Sequence, residues 1–152
     1  MGIMGILAVI AAPNYRSWMA QQELEQTWIQ LRNHIEMARG YAQTHQTTVE
    51  ICPVSREQLY AKQPVCSNNG DHWQSWIVRD VDDQQVLTRS NEIPDDTYIS
   101  SGGRSRFVFN KRGGANGYNG TLALTNEKVS EGLQLKIAPD GRISSASIAP
   151  AP

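Results

Sequence analysis

The chain has 152 residues, 39% of them hydrophobic, and a formal net charge of -1. That length suits one domain with a modest core, and so small a charge excludes a chain-wide electrostatic draw toward nucleic acid or anionic lipid. The two cysteines, Cys52 and Cys66, stand outside CxxC spacing with no His or Cys at zinc-finger distance, which argues against a structural metal.

The first twelve residues, MGIMGILAVIAA, carry no charge. A helix needs about 20 apolar residues to span a bilayer, and this run also lacks the basic start of a cleavable signal. It reads as the second half of a membrane helix, with the start of a buried core helix as the alternative. Pro13 removes a backbone donor and is expected to kink or locally break the helix rather than end it. From 14 to 44 the sequence has helical periodicity: Leu24, Trp28, Leu31, Ile35, Ala38 and Ala42 share one stripe, with Gln22, Glu25, Gln26, Arg32, Asn33 and Glu36 opposite. Gly40 is a weak spot in it.

After Gln46 the pattern changes to short alternating runs separated by turn residues. Residues 47–52 read as a strand and 53–72 as a polar loop with Asn69-Gly70 as a turn signal. Residues 73–80 and 85–89 read as a hairpin around Asp82-Asp83. Further strands are expected at 97–100, 106–110, 120–125, 133–138 and 142–147, with Asp140-Gly141 turning between the last two. Asn116-Gly117 and Asn119-Gly120 mark a mobile loop, and 149–152 a frayed tail. One long helix followed only by strands is an α+β order, in which the helical stripe packs on antiparallel β-sheet. On composition alone, Cys52 and Cys66 are either the ends of a short disulfide loop or two unrelated thiols.

Catalytic patterns are missing. His34, His45 and His72 are scattered, and His34 falls on the polar side of the helix. No Ser/His/Asp order, HExxH or P-loop spacing is present. Asp80, Asp82 and Asp83 lack the glycine and terminal glutamate of an EF-hand and read as a polar turn. No cofactor or metal site is indicated. Basic residues, by contrast, cluster: Arg104, Arg106, Lys111 and Arg112 lie among glycines, and no acidic residue occurs between Asp96 and Glu127. Arginines on glycine loops suit phosphate contacts, and Tyr118 offers a stacking face; a solvated loop or a surface facing acidic neighbours is the plainer account. Trp28, Trp73 and Trp76 read as packing residues. Trp18, beside Tyr15 and Arg16, is placed as an interfacial anchor or as a contact to a neighbouring subunit.

Several segments together resemble one family. IMGILAVIAAPNY is similar to the N-terminal stretch of type IV pilins and pseudopilins. MARGYAQTHQTTVEIC, FVFNKRGGANGYNGTLAL and IAPDGRIS resemble, in order, the helix end, an RG…NGT hairpin and the C-terminal GR motif of the FimT/FimU/GspH branch. The resemblance implies a type IV pilin-like α+β fold, with 1–20 as a partial transmembrane or filament-core helix and 21–152 as the globular domain. Within that domain, 21–46 would be the amphipathic half of the helix and 47–148 the β part. It implies an N-terminally truncated chain, because the family's leader and the glutamate early in its mature helix are not seen. It implies a Cys52–Cys66 disulfide in a periplasmic domain, stapling the long loop by about 3 kcal/mol. It implies a noncatalytic minor pilin of the type IV pilus, partnered by major and minor pilins and by the inner membrane, and carried into the extracellular pilus. Two other roles fit the branch. One is a subunit that binds double-stranded DNA for uptake through Arg104, Arg106, Lys111, Arg112 and Arg142. The other is a GspH-type pseudopilin of a type II secretion system. The DNA-binding subset carries Gly-Arg-x-Arg at its C-terminus; here Gly141-Arg142-Ile143-Ser144 keeps the first arginine and replaces the second by serine.

Overall fold

The computed structural model describes the backbone of residues 2–148 and the side chains of 15–147. The side-chain expectations for the apolar opening run, and the tail at 149–152, lie outside these. Helix α1 spans Gly2–His45 and runs past Pro13 without a break. Among the described residues eight strands follow: β1 (Val49–Val54), β2 (Ser75–Asp80), β3 (Gln85–Arg89), β4 (Thr97–Ser100), β5 (Phe107–Phe109), β6 (Gly120–Asn126), β7 (Gly132–Ile137) and β8 (Ile143–Ile148).

The helix stops at a left-handed residue. Gln46 has φ 53°, and the Thr47 amide reaches back to the Ala42 carbonyl at 3.2 Å. This is the Schellman closure, with glutamine where glycine is usual. The Gln46 side-chain amide donates to the Gln43 carbonyl at 2.7 Å, giving a second helix-end carbonyl a partner.

The strands form two antiparallel sheets, ordered β3-β2-β1-β5 and β4-β6-β7-β8. The helical stripe buries itself against both. Leu24, Leu31, Ile35, Ala38 and Ala42 are enclosed with Val49, Ile51, Val78, Phe107 and Phe109 from the first sheet and Leu122, Leu124, Leu135 and Ile137 from the second. Trp73 and Trp76 lie fully buried, while Trp28 is half-buried beneath the Arg32 guanidinium.

Strand β1 is buried along its whole length. Val49 and Ile51 face the helix; Cys52 and Val54 face the other way and pack with Leu59 and Ile77 under the loop that follows. Cys52 is bonded to Cys66, with Cα atoms 5.7 Å apart, so the loop is fastened over the outer face of the first sheet.

Several element ends differ from the pattern-based expectation. β1 starts two residues later than 47, because Thr47 is used by the helix closure. Its hydroxyl lies 2.7 Å from Asp80 Oδ1 and 2.9 Å from Asp82 Oδ2. β2 starts at Ser75 rather than at 73, because the Trp73 amide donates to the Ile99 carbonyl of β4 at 2.9 Å. β5 is trimmed to three residues: Arg106 turns to a carboxylate, and Asn110 opens a turn closed by its amide on the Gly114 carbonyl at 2.9 Å.

Candidate functional site

Two surfaces hold the residues singled out by sequence. The first is the far end of the helix, where it meets two turns. Arg39 Nε donates to the Gly113 carbonyl at 3.1 Å, and its Nη2 to the Asp140 carbonyl at 3.4 Å. Gln43 and Gln46 donate to the Arg112 and Lys111 carbonyls at 3.0 and 3.3 Å. The turns themselves join through the Ala115 amide on the Pro139 carbonyl at 2.9 Å. Gly141, at φ 86°, sits so close to the Gly113 carbonyl that a Cβ there would lie 1.8 Å from its oxygen. The side chains of Arg112 and Lys111 thus stand on one turn, and that of Arg142 on the neighbouring one.

The five basic candidates differ in what they bond. Arg106 pairs with Glu50 Oε2 at 3.5 Å. Arg104 donates to the Gly117 carbonyl at 2.7 Å, tying down the loop expected to be mobile, and this fixes it on a different turn from Lys111 and Arg112. Arg142 keeps 78% of its side chain exposed and has Asp140 at 3.5 Å. Among the described residues no carboxylate lies within ion-pair distance of Lys111 or Arg112. Lys111 does lend positive potential to Asp82, whose carboxyl is held below its ordinary range chiefly by the Thr47 hydroxyl and the Thr48 amide. Tyr118 is 38% exposed. Arg39 was not anticipated: a lone arginine in a helix gives no sign of turns about a hundred residues away.

Glu50 was also missed. It is 2% exposed, and its carboxylate meets Arg79 and Arg106, with Oε1 3.7 Å from Cys66 Sγ. An acidic residue at a buried strand position needs such partners, because an unpaired interior charge costs several kcal/mol. Its pairing removes Arg106 from the freely available cations. His34, assigned by sequence to the polar side, is instead half-buried, and its Nδ1 accepts the Trp76 Nε1 proton at 3.0 Å. Burial pushes its pKa down.

The second surface is on the helix. Tyr15, Trp18, Met19 and Ile29 are 60%, 58%, 41% and 50% exposed. At about 100° per residue they fall on one stripe with Gln22 and Gln26, roughly opposite the stripe that enters the β domain. The helix is therefore apolar on two sides over this stretch, and one of those sides faces solvent. Among the described residues no helix is long and apolar enough to cross a membrane.

A long helix that lays one stripe on two antiparallel sheets is a fold also found in a solved type IV minor pilin. The chain belongs to the family described as Type II transport protein GspH, whose sequence profile matches residues 29–141. Its structure is similar to that of the Pseudomonas aeruginosa type IV minor pilin FimU in two crystal forms. In one, the TM-score is 0.64 at 15% identity, covering 85% of this chain and 92% of that one. In the other, it is 0.57 at 14% identity, covering 83% and 91%. No curated protein sequence matches the chain.

Proposed function

We propose that this chain is a noncatalytic structural subunit, a minor pilin that contributes to starting and building a type IV pilus. The observation that carries this reading is the second apolar stripe, Tyr15, Trp18, Met19 and Ile29, exposed on a helix whose other side is already buried. Apolar surface of this kind gains about 25 cal/mol per Å² when covered, and neighbouring helices cover it without disturbing the β domain. In this reading the helix rests in the inner membrane with the β domain in the periplasm, then packs among other major and minor pilins in the extracellular filament. The test is a Trp18→Asp/Ile29→Asp variant in the native host. It is expected to vanish from sheared filaments while the Cys52–Cys66 bond stays formed; equal recovery of variant and wild type would sink the proposal. The same helix serves a type II secretion pseudopilin. Deleting the gene separates the two: loss of surface filaments supports the pilus, loss of an exported enzyme the secretion system.

A second reading is supported by the meeting of the two turns. Lys111, Arg112 and Arg142 stand there beside Arg39, which suits double-stranded DNA, with Arg104 and Arg106 set apart. Phosphate contacts make binding fall steeply with salt. In a gel shift at low salt, an Arg112→Ala/Arg142→Ala variant is expected to lose most retardation. Equal retardation by wild type and variant would remove this reading.

A further inference from the structure

Each sheet has two outer strands, and three of the four are protected. β4 is covered from the side of the preceding loop: the Trp73 amide donates to the Ile99 carbonyl at 2.9 Å and the Ser101 amide to the Gly70 carbonyl at 2.8 Å. β3 carries Arg89, whose guanidinium holds the 59–61 segment through the Leu59 and Ala61 carbonyls. β5 has only three residues and is preceded by the charged Arg106. These are ordinary ways of keeping an outer strand from pairing with another chain.

β8 shares only one of them, a preceding arginine, Arg142: it is not short and, among the described residues, no neighbouring segment bonds its outer edge. It is six residues long, ISSASI, with neither a charge nor a proline. Among the described residues, β7 is its one partner. Its inward positions gain no cover from the helix either. In register with β7, Ser145 and Ser147 stand opposite Leu135 and Leu133, on the core-facing side, yet both serines are exposed. Ser144 and Ala146, on the outer side, are exposed too. The strand overhangs the core, open on both faces and along its outer edge.

At the start of β8 the edge runs into a hollow of about 310 Å³ lined by Glu36, Arg39, Gly40, Gln43, Arg142 and Ile143. Gly40 forms part of this lining, and a Cβ there would meet nothing within 4 Å. Glycine inside a helix costs about 1 kcal/mol against alanine, and nothing in the fold requires it here. Glu36 pairs with Arg32 at 3.2 Å and Arg142 with Asp140 at 3.5 Å, while Arg39 bonds only carbonyls; the rim is therefore net positive, and Arg142, 78% exposed, is its most exposed cation.

We propose that β8 accepts an added antiparallel strand from a different subunit, an extended segment whose C-terminal end bears a carboxylate. Main-chain hydrogen bonds would give affinity, and small serine and alanine side chains let the added backbone approach without a clash. In antiparallel addition the guest's C-terminal end comes to the Arg142 end of β8. There a terminal carboxylate or an acidic side chain meets the guanidinium over the open Gly40 floor. A second copy of this chain suits the edge less well, because antiparallel pairing of two β8 strands points the two α1 helices in opposite directions. The proposal stands independently of helix-mediated assembly, which uses the other half of the molecule.

The test uses the full chain in mild detergent. The probe is a fluorescent peptide of about eight residues, alternating threonine and valine and ending in aspartate with a free carboxylate; its control ends in asparagine amide. The acidic probe is expected to bind and to slow amide exchange across 143–148. Its affinity should fall about tenfold in the control and in Arg142→Ala. Ala146→Lys, which charges the edge, should weaken both peptides while leaving the disulfide and the circular dichroism unchanged. Three results would overturn the proposal. The first is binding without added protection at 143–148. The second is concentration-dependent dimerisation with β8 protected in the absence of peptide. The third is Arg142-dependent binding of a short DNA duplex under conditions where neither peptide binds.

Discussion

Strands β1 and β8 are each six residues long, and they sit at opposite extremes of the same domain. Every residue of β1 is buried, between the helix on one face and a disulfide-fastened loop on the other. β8 leaves Ser144 to Ser147 exposed and is held by one ladder. The contrast shows where this fold places its stability and where it keeps surface for others. A strand enclosed on all sides can hold even a carboxylate, provided arginines come with it; a strand enclosed on one side stays small and uncharged.

Substitutions should reproduce that gradient. Glu50→Ala leaves Arg79 without its partner at a largely buried site, and about 3–5 kcal/mol of stability should be lost, read as the urea midpoint from tryptophan fluorescence. A loss under about 1 kcal/mol would mean that the carboxylate is no anchor. Replacing Cys52 and Cys66 by alanine opens a loop of sequence separation 14 and should cost about 3 kcal/mol in the same assay. Ala146→Lys on β8 should change stability by no more than about 0.5 kcal/mol. A large loss there would show that β8 is less open than its exposure implies.

The pH dependence sharpens the enclosed side of the comparison. Burial lowers the His34 pKa below 6.5, so the unfolded chain takes up the proton first as pH falls. Stability contributed by neutral His34 is complete above pH 6.5 and is lost progressively as pH falls from there toward the folded-state value. Protonation at Nδ1 also removes the acceptor used by Trp76. His34→Gln cannot titrate, so the slope of stability against pH over that window should flatten relative to wild type. An unchanged slope would assign it to other groups.

Much of the architecture was legible in the sequence because it is local. The stripe from Leu24 to Ala42 has a period that only a helix satisfies, and 85–89 and 97–100 were delimited by turn residues that the structure uses. β1 was misplaced by two residues because the bonds that claim Thr47 come from Asp80 and Asp82, more than thirty positions away. The Cys52–Cys66 bond is present as the family resemblance implied. The basic cluster was legible as composition but not as geometry. The sequence between 104 and 112 shows neighbours along the chain, not that Glu50 pairs with Arg106 or that the Gly117 carbonyl accepts from Arg104. Nothing in the sequence around Glu50 marks it as interior; the loop above it makes the position so.

Arg39 gives the domain a mechanical property. Its guanidinium joins the helix to the turn after β5, in one sheet, and to the turn between β7 and β8, in the other. Gln43 and Gln46 add two more side-chain bonds from the same helix end to the first of those turns. A pull along the helix axis therefore loads these links side by side, in shear, rather than unzipping them in sequence. Tension on the helix is shared between both sheets at once, so the β domain follows the helix as one rigid load.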